Sequence, residues 1–379
     1  MGTQPRAVRA ATGGDLADEY FSQLLDRFEQ AATAVGGAGR LDLEMAGLRL
    51  RVRHAGEGLR AGLLAPFEHL ACPPQGDPDL TISLFDTASS GIEPPPPPWD
   101  PIVAAPGTNP VARLRSERAC VLAAAGSRGL TAALPAEGIA VFHLPDATAI
   151  PASERAAPIR EALQLLMAER GRLMTHAGAV GRDGRGVLFV GRGGSGKSTL
   201  ALSCALAGME IVADDYVLLE PDSLTAHAMQ STAKLTEDSA TRLGVPAALI
   251  DTAGFEPTLE GPAKALVRIP SLVPGRMKRR ITIAAVVAPA LPPLSSHLFA
   301  STAKKDEVNG EEGALRPMSA AEGLRAVAPS TVVQSGFGGE GSLATLADLV
   351  RRVPSYALEL VSDPEANAAA VDRLVAELD

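Results

Sequence analysis

Eight consecutive residues in the middle of the chain have the types and the spacing of a phosphate-binding loop. Residues 191–198 (GRGGSGKS) fit the pattern G-x-x-x-x-G-K-[ST] at every position. The glycines allow backbone N–H groups to converge on phosphate oxygens, while Lys197 can reach the terminal phosphates and the Ser198 hydroxyl can ligate Mg²⁺. The pattern therefore predicts that ATP and Mg²⁺ bind here. The predicted nucleotide-binding residues are Gly191, Gly193, Gly194, Ser195, Gly196, Lys197, Ser198 and Thr199.

The flanking residues predict the strand and the helix that such a loop connects. Residues 186–190 (GVLFV) favour a strand because they are rich in β-branched and aromatic side chains. Residues 197–209 (KSTLALSCALAGM) are typical of a helix, and its N-terminus would face the bound phosphates. The alternative is an ordinary glycine-rich turn, which would require neither the lysine nor this strand and helix.

Two adjacent carboxylates, Asp214 and Asp215, end the next predicted strand, residues 210–216. A right-handed crossover through the helix would make this strand parallel to the one before the loop, with both carboxyl ends at one edge of the sheet. Because successive strand residues point to opposite faces, we expect one carboxylate to bind Mg²⁺ and the other to meet an incoming hydroxyl. The alternative for this pair is a solvated strand end or a helix cap.

A histidine lies in a third predicted strand, residues 173–180. Asp183 and Gly184 follow it and give the strongest two-residue signal for a β-hairpin that leads to the strand before the loop. The register of that hairpin places His176 opposite Gly191, beside the phosphates. A lone histidine in a strand is more often a hydrogen-bonded core residue, so position alone leaves both roles open.

Together, the segment HAGAV at 176–180, the loop at 191–198 and the segment ADD at 213–215 resemble the core of HPr kinase/phosphorylase and its relatives. That family shares a P-loop ancestry with ATP-dependent phosphoenolpyruvate carboxykinase, and the spacing of the three segments matches it. The resemblance implies that His176 assists catalysis, Lys197 holds the β- and γ-phosphates, and Asp215 accepts the proton of the substrate hydroxyl. It also implies that Ser198 and Asp214 lie on the Mg²⁺ side.

Lys234 and Arg276 are weaker candidates from the same resemblance. Lys234 lies in the expected region after the aspartates, and Arg276 ends a Pro-Gly-Arg segment similar to a loop of the family. The chain also departs from the bifunctional enzymes, because Thr199 replaces the glutamate that follows their Lys-Ser and their Glu-x-Arg-Gly-Leu-Gly signature is absent. The resemblance is therefore to a kinase relative, and it gives no ground for expecting a second metal ligand or phosphorolysis.

The sequence predicts an α/β protein whose two domains divide at residue 150. Residues 1–150 contain alternating segments, such as 41–52 around a turn at Ala46 and Gly47, and predict a smaller, mostly β or mixed domain that would bind substrate or a partner. Residues 151–379 would form a P-loop kinase catalytic domain of the HPr kinase/carboxykinase type. A capped amphipathic helix over 153–170 would lead into this second domain.

Composition excludes several classes of protein. The 379 residues are 46% hydrophobic and 21% charged, which is ordinary for a globular chain, and the net charge of −9 argues against a general nucleic-acid binder. Three scattered cysteines are too few for a disulfide framework or a zinc site. No segment is typical of a membrane span or a signal peptide, so we expect a cytoplasmic protein without a membrane partner.

These features predict an ATP- and Mg²⁺-dependent phosphotransferase. As the resemblance implies, it would be an HPr-kinase-like serine kinase whose partner is a protein or peptide carrying Ser or Thr, and a homo-oligomer is compatible with the sequence. Two alternatives stay open: a small-molecule kinase or carboxykinase-like enzyme, and a P-loop ATPase or nucleotide-binding regulatory module. The fate of the γ-phosphate separates them, because a kinase leaves it on an acceptor, an ATPase releases it, and a binding module does neither.

Overall fold

The computed structural model describes residues 14–99, 111–124, 129–150, 152–253, 263–291, 313–335 and 340–378. Strands and helices are mixed along these residues, so the predicted α/β class is confirmed. The chain divides into two compact units, Met1–Arg170 and Gly171–Asp379.

The first unit is built on a seven-stranded sheet. Its strands are β1 (Gly39–Met45), β2 (Leu48–Ala55), β3 (Leu80–Asp86), β4 (Val111–Arg115), β5 (Cys120–Ala124), β6 (Leu130–Leu134) and β7 (Ile139–Leu144). Their order is β1-β2-β3-β7-β6-β5-β4. Strands β2, β3 and β7 are parallel neighbours, and the other neighbouring pairs are antiparallel. The predicted turn between β1 and β2 is present, with Ala46 and Gly47 both at positive φ.

The helices of this unit include a long one that the sequence reading missed. They are α1 (Gly14–Ala34), α2 (Glu57–Leu59), α3 (Thr87–Ser90), α4 (Ala152–Ala156) and α5 (Arg160–Ala168), with a π-helix at Arg60–Leu64 and a 3₁₀-helix at Ala65–Leu70. Helix α1 covers one face of the sheet, where Phe21, Leu24 and Phe28 pack with Phe85 and Val141. This burial of apolar area is the main force that holds the helix on the sheet.

The first compact unit extends to Arg170. The single helix expected over 153–170 is two helices, α4 and α5, because the chain turns at Ile159, whose φ is 48°. Helix α5 packs against β6 and β7 of the first unit. Beyond it, Arg170 Nη1 donates to the carbonyl oxygen of Pro135 at 3.0 Å. These contacts keep the segment with the first unit.

The second unit contains a nine-stranded sheet and a three-stranded sheet. The strands are β8 (Leu173–Thr175), β9 (Gly178–Arg182), β10 (Arg185–Phe189), β11 (Glu210–Ala213), β12 (Val217–Glu220), β13 (Thr225–Ala228), β14 (Thr232–Thr236), β15 (Ile250–Asp251), β16 (Lys264–Arg268), β17 (Arg280–Ala290), β18 (Ala314–Met318) and β19 (Ser355–Glu359). The large sheet has the order β11-β9-β10-β17-β13-β12-β8, with β19 pairing to β17 and β18. The small sheet has the order β14-β16-β15.

The helices of the second unit are α6 (Lys197–Leu206), α7 (Glu237–Arg242), α8 (Ile269–Leu272), α9 (Ala320–Ser335), α10 (Glu340–Arg352) and α11 (Pro364–Glu377), with a 3₁₀-helix at Ala247–Leu249. Helix α6 packs against β9, β11 and α11. Its Leu200, Ala201 and Cys204 are buried in the core with Val187 and Ile211 of the large sheet. Within the described residues, no helix combines the length and the apolar character that crossing a membrane requires.

The predicted hairpin and its register are confirmed over the length of the ladder. Asp183 and Gly184 form the turn, and the pairs run from Arg182 opposite Arg185 to Gly178 opposite Phe189. Beyond that point the prediction is wrong, because residues 173–180 form two strands and β8 pairs with β12. His176 therefore lies between two strands and is not paired with Gly191.

The crossover from β10 through α6 to β11 has the predicted direction. Both β10 and β11 are antiparallel to β9, which lies between them, so β10 and β11 run in the same direction. Their carboxyl ends consequently lie at one edge of the sheet. The residues that follow each end, the glycine-rich loop and the two aspartates, approach each other there.

Candidate functional site

The glycine-rich loop between β10 and α6 presents its backbone to open space. The Val190 N–H donates to Val287 O at 3.0 Å and fixes the end of β10 against β17. Three loop residues, Gly191, Gly194 and Gly196, have positive φ, which side-chain-bearing residues adopt at a cost. A Cβ at Gly193 or Gly194 would meet no described atom within 4 Å, whereas one at Gly196 would lie 2.6 Å from Leu360 Cδ1. The loop is therefore open at its tip and tightly packed at the start of α6.

Lys197 is the first residue of α6 and folds back over the loop. Its Nζ donates to the carbonyl oxygens of Gly191 at 2.8 Å and Arg192 at 3.1 Å. The side chain is buried, and burial lowers the pKa of the ammonium group, while the nearby charges of Asp215 and Asp214 oppose this effect. The structure thus holds a cation inside the turn of the loop.

Asp214 follows β11 and is almost fully buried. Its Oδ2 accepts the backbone N–H of Lys234 at 3.1 Å, and its Oδ1 has no hydrogen-bond partner among the described residues. Burial and the negative charge of Asp215 raise the pKa of Asp214 to about 6, although the Ser198 hydroxyl and the Lys234 N–H favour the ionised form. Asp214 is therefore ionised at neutral pH, at a cost, and has one oxygen available.

Asp215 is held from two sides. Its Oδ1 lies 3.0 Å from His176 Nε2, and its Oδ2 lies 2.8 Å from Lys234 Nζ. Burial would raise the pKa of Asp215, but the charge of Lys234 and the contacts with His176 outweigh it and hold the pKa well below its usual range. The same pairing raises the pKa of Lys234 against the opposing effect of burial. Asp215 and Lys234 thus form an ion pair.

His176 is a neutral donor to this pair. Burial lowers the pKa of His176 more than the contact with Asp215 raises it, and the charges of Lys197 and Lys234 lower it further. An ionised carboxylate only accepts hydrogen bonds, so Nε2 carries the proton and Nδ1 is an acceptor. No described residue is hydrogen-bonded to that buried Nδ1. The backbone N–H of His176 donates to Thr331 Oγ1 at 3.4 Å and fixes the chain between β8 and β9.

A cavity of about 490 Å³ joins these elements. Most of the residues expected from the sequence line it: His176, Gly193, Gly194, Gly196, Lys197, Ser198, Thr199, Asp215 and Lys234. Asp214 is buried behind its wall, next to Ser198. Gly191 contributes the carbonyl oxygen that Lys197 binds. Ser195 Oγ is buried near Gly191 and makes no hydrogen bond with the described residues.

Arg276 is not brought to this cavity. Its carbonyl oxygen accepts the Ile211 N–H at 3.0 Å, at the start of β11. Its guanidinium group lies beside Gly208, just past the C-terminal end of α6, where a Cβ would be 3.6 Å from Arg276 Nη2. The loop and the aspartates lie at the opposite ends of these elements, so α6 separates Arg276 from them.

The small sheet and α7 contribute residues that the sequence reading did not include. Thr236 and Lys264 line the cavity, as does Ser239. Thr199 Oγ1 donates to Ser239 Oγ at 2.9 Å, and Thr236 caps α7 by accepting the Ser239 N–H at 3.2 Å. A threonine followed by Glu237 and Asp238 is a recognisable start of a helix. No local signal indicates that this helix lies against the loop.

The donor set fits Mg²⁺ better than a transition metal. Within the described parts of the chain, no group of three or more His, Cys, Asp or Glu side chains could hold a metal ion. Mg²⁺ requires only one or two carboxylates when phosphate oxygens and water complete its shell. Ser198 and Asp214, with its unpartnered Oδ1, have the chemistry for that role.

No protein-family model and no curated protein matches the chain. Among solved structures, the HPr(Ser) kinase/phosphatase from Coxiella burnetii is similar to it. The match covers 54% of this chain and 88% of that chain, with 13% sequence identity and a TM-score of 0.28. At that TM-score the likeness supports no conclusion about the activity of this chain.

Proposed function

We propose that the protein is an ATP- and Mg²⁺-dependent phosphotransferase that moves the γ-phosphate of ATP to a hydroxyl. The observation that carries this proposal is the meeting of Lys197 and Ser198 from α6 with His176, Asp215 and Lys234 around one cavity. Phosphoryl transfer needs positioned charges more than covalent participation by the protein, and this cavity supplies positioned charges. The resemblance of the sequence to HPr-kinase-like enzymes favours Ser or Thr of a protein or peptide as the acceptor.

The nucleotide would bind with its phosphates at the glycine-rich loop. Backbone N–H groups at the start of α6 and the positive end of the helix dipole favour an anion there. The open space beside Gly193 and Gly194 lets phosphate oxygens approach the backbone. Lys197, already held at the loop by two carbonyl oxygens, would meet the β- and γ-phosphates.

Ser198 and Asp214 would hold Mg²⁺ beside these phosphates. Bound there, the ion would neutralise charge on the β- and γ-phosphate oxygens. Asp214 suits the role because its pKa of about 6 leaves it ionised at neutral pH.

Asp215 would receive the acceptor. The acceptor oxygen forms a bond to the γ-phosphorus, the bond from that phosphorus to the β–γ bridging oxygen breaks, and ADP leaves with the electron pair. The hydroxyl proton passes to Asp215, which has free lone pairs beside its bonds to His176 and Lys234. A carboxylate with so low a pKa is a weak base. Because the transition state is loose, Asp215 contributes more by orienting the hydroxyl than by accepting its proton.

The test follows ATP labelled with ³²P at the γ-position, incubated with Mg²⁺, the full chain and a lysate. We expect label on Ser or Thr of a protein, and at least roughly a 10²-fold loss in Lys197→Ala, as for removal of one preorganised donor. Lys278→Ala is the matched control, since Lys278 is exposed and pairs with Glu210 at 3.2 Å.

Each other outcome points to a different function. Label found only in free phosphate would indicate an ATPase, and label on a metabolite would indicate a small-molecule kinase. Normal turnover in a folded Lys197→Ala variant would rule out the glycine-rich loop as the active site. Absence of both binding and turnover in the wild type would refute the proposed function.

A further inference from the structure

Lys264 of the small sheet lines the same cavity, and none of the steps proposed for the phosphate transfer uses it. Lys264 begins β16 and lies opposite Thr236 of β14, while Lys234 precedes Thr236 by two positions in the same strand. Cross-strand partners and alternate residues of a strand share one face of a sheet. Lys234, Thr236 and Lys264 therefore project from the same face, and all three line the cavity.

The other cations around the cavity are engaged. Lys234 pairs with Asp215, and Arg242 of α7 pairs with Asp238. Lys197 donates to two carbonyl oxygens of the loop. Lys264, by contrast, is exposed and forms no ion pair with any residue that the structure describes. Its charge is therefore available to a ligand, in addition to that of Lys197.

Lys264 is also near enough to Lys197, at the proposed phosphate-binding loop, for the two charges to interact. Burial lowers the pKa of Lys197, and the positive charge of Lys264 contributes to lowering it further. Two cations that repel each other across a cavity are stabilised together when an anion lies between them. A group with the charge of a polyphosphate would remove this repulsion.

We propose that Lys264 contacts the terminal phosphate of the bound nucleotide and neutralises charge on that group during its transfer. The inference rests on the proposed function and deepens it. Enzymes of this chemistry commonly place a positive side chain against the transferred phosphoryl group. Arg276, a weaker site candidate from the sequence, lies beside Gly208 at the other end of α6. Lys264 acts only through its charge, so the bonds that form and break are those of the transfer from ATP to the acceptor hydroxyl.

The first test is nucleotide binding by the full chain, measured by calorimetry with ATP, ADP and AMP in the presence of Mg²⁺. We expect Lys264→Ala to weaken ATP about 10-fold, ADP less and AMP not at all, because only a terminal phosphate meets the ammonium group. Turnover should fall by about 10- to 100-fold. Arg268→Ala is the matched control, since Arg268 is an exposed cation of the same strand that does not line the cavity.

The second test needs no variant. An amine-acylating reagent should modify exposed Lys264, with Lys278 as the internal reference, and mass spectrometry reads both sites. Saturating ATP should protect Lys264 and leave Lys278 unchanged, whereas AMP should protect neither.

The outcomes separate this inference from the proposed function. A wild type that binds no nucleotide refutes the proposed function and this inference with it. A wild type that binds and turns over ATP, with Lys264→Ala equal to Arg268→Ala and no protection of Lys264, overturns this inference alone. Equal losses of ATP and AMP affinity would also overturn it, because Lys264 would then contact the nucleoside or the first phosphate.

Discussion

Asp214→Asn is expected to stabilise the free protein while weakening its response to Mg²⁺ and ATP. Asparagine has nearly the same shape and keeps an oxygen to accept the Lys234 N–H. It removes a buried negative charge that lies beside the charge of Asp215. It also removes the charge that Mg²⁺ would bind, so stability and function should change in opposite directions.

The size of the stability change follows from the pKa. A rise from 3.8 to about 6 in the folded protein corresponds to roughly 3 kcal/mol. Because the folded pKa lies above the unfolded one, the stability from the protonated group is complete below about pH 4 and is lost as the pH rises through about 6. At neutral pH the wild type bears this cost in full, and Asp214→Asn should be more stable by up to roughly 3 kcal/mol.

Urea unfolding at pH 5 and pH 7.5, with and without Mg²⁺ and ATP, measures both effects. We expect the variant to gain stability mainly at the higher pH, and the ligands to stabilise the wild type more than the variant. Asp222→Asn, at an exposed position, should change neither. A loss of more than about 1 kcal/mol in ligand-free Asp214→Asn would refute the electrostatic reasoning. Equal stabilisation of both proteins by the ligands would refute the metal role.

Three further predictions concern other buried titratable groups. His176→Ala should lower phosphotransfer by about 10² to 10⁴-fold while changing the free energy of unfolding by at most about 2 kcal/mol, and a larger stability loss with normal activity per folded molecule would make it a core residue. Asp215→Asn should lower transfer by about 10² to 10⁴-fold but retain ATP binding by calorimetry, and full activity would remove its role as proton acceptor. Glu154, whose pKa burial and Glu161 raise to about 8, should make the wild type lose stability as the pH rises from about 4.5 to about 8. Glu154→Gln should flatten this slope in urea unfolding, and an unchanged slope would contradict the assignment.

Local patterns predicted the elements around the site because each is determined by residues near in sequence. The Asp183–Gly184 turn set the register of β9 and β10, and the strand, loop and helix at 185–206 follow from the spacing of glycines and apolar residues. Helix α1 also carried a local signal, since Tyr20, Leu24 and Phe28 recur at helical spacing and are buried.

The rest of the cavity depends on contacts between residues far apart in the chain. Lys264 lines the cavity because β16 pairs with β14, a contact between segments that are far apart in the sequence. Likewise, Leu360 packs at Gly196 because β19 pairs with β17 and brings the end of the chain to the loop. The predicted pairing of His176 with Gly191 was wrong for the same reason, since β8 pairs with β12 and Thr175 lies opposite Val217.

The two aspartates show how a structure adds chemistry to a pair that the sequence treats as equivalent. Strand alternation predicts only that they differ in direction. In the fold, Asp214 has a raised pKa and one unpartnered oxygen, while Asp215 has a lowered pKa and both oxygens engaged by His176 and Lys234. A pair whose environments separate the two pKa values is a basis for assigning separate roles. The carboxylate with an available oxygen suits a metal, and the one fixed by two donors suits the orientation of a hydroxyl.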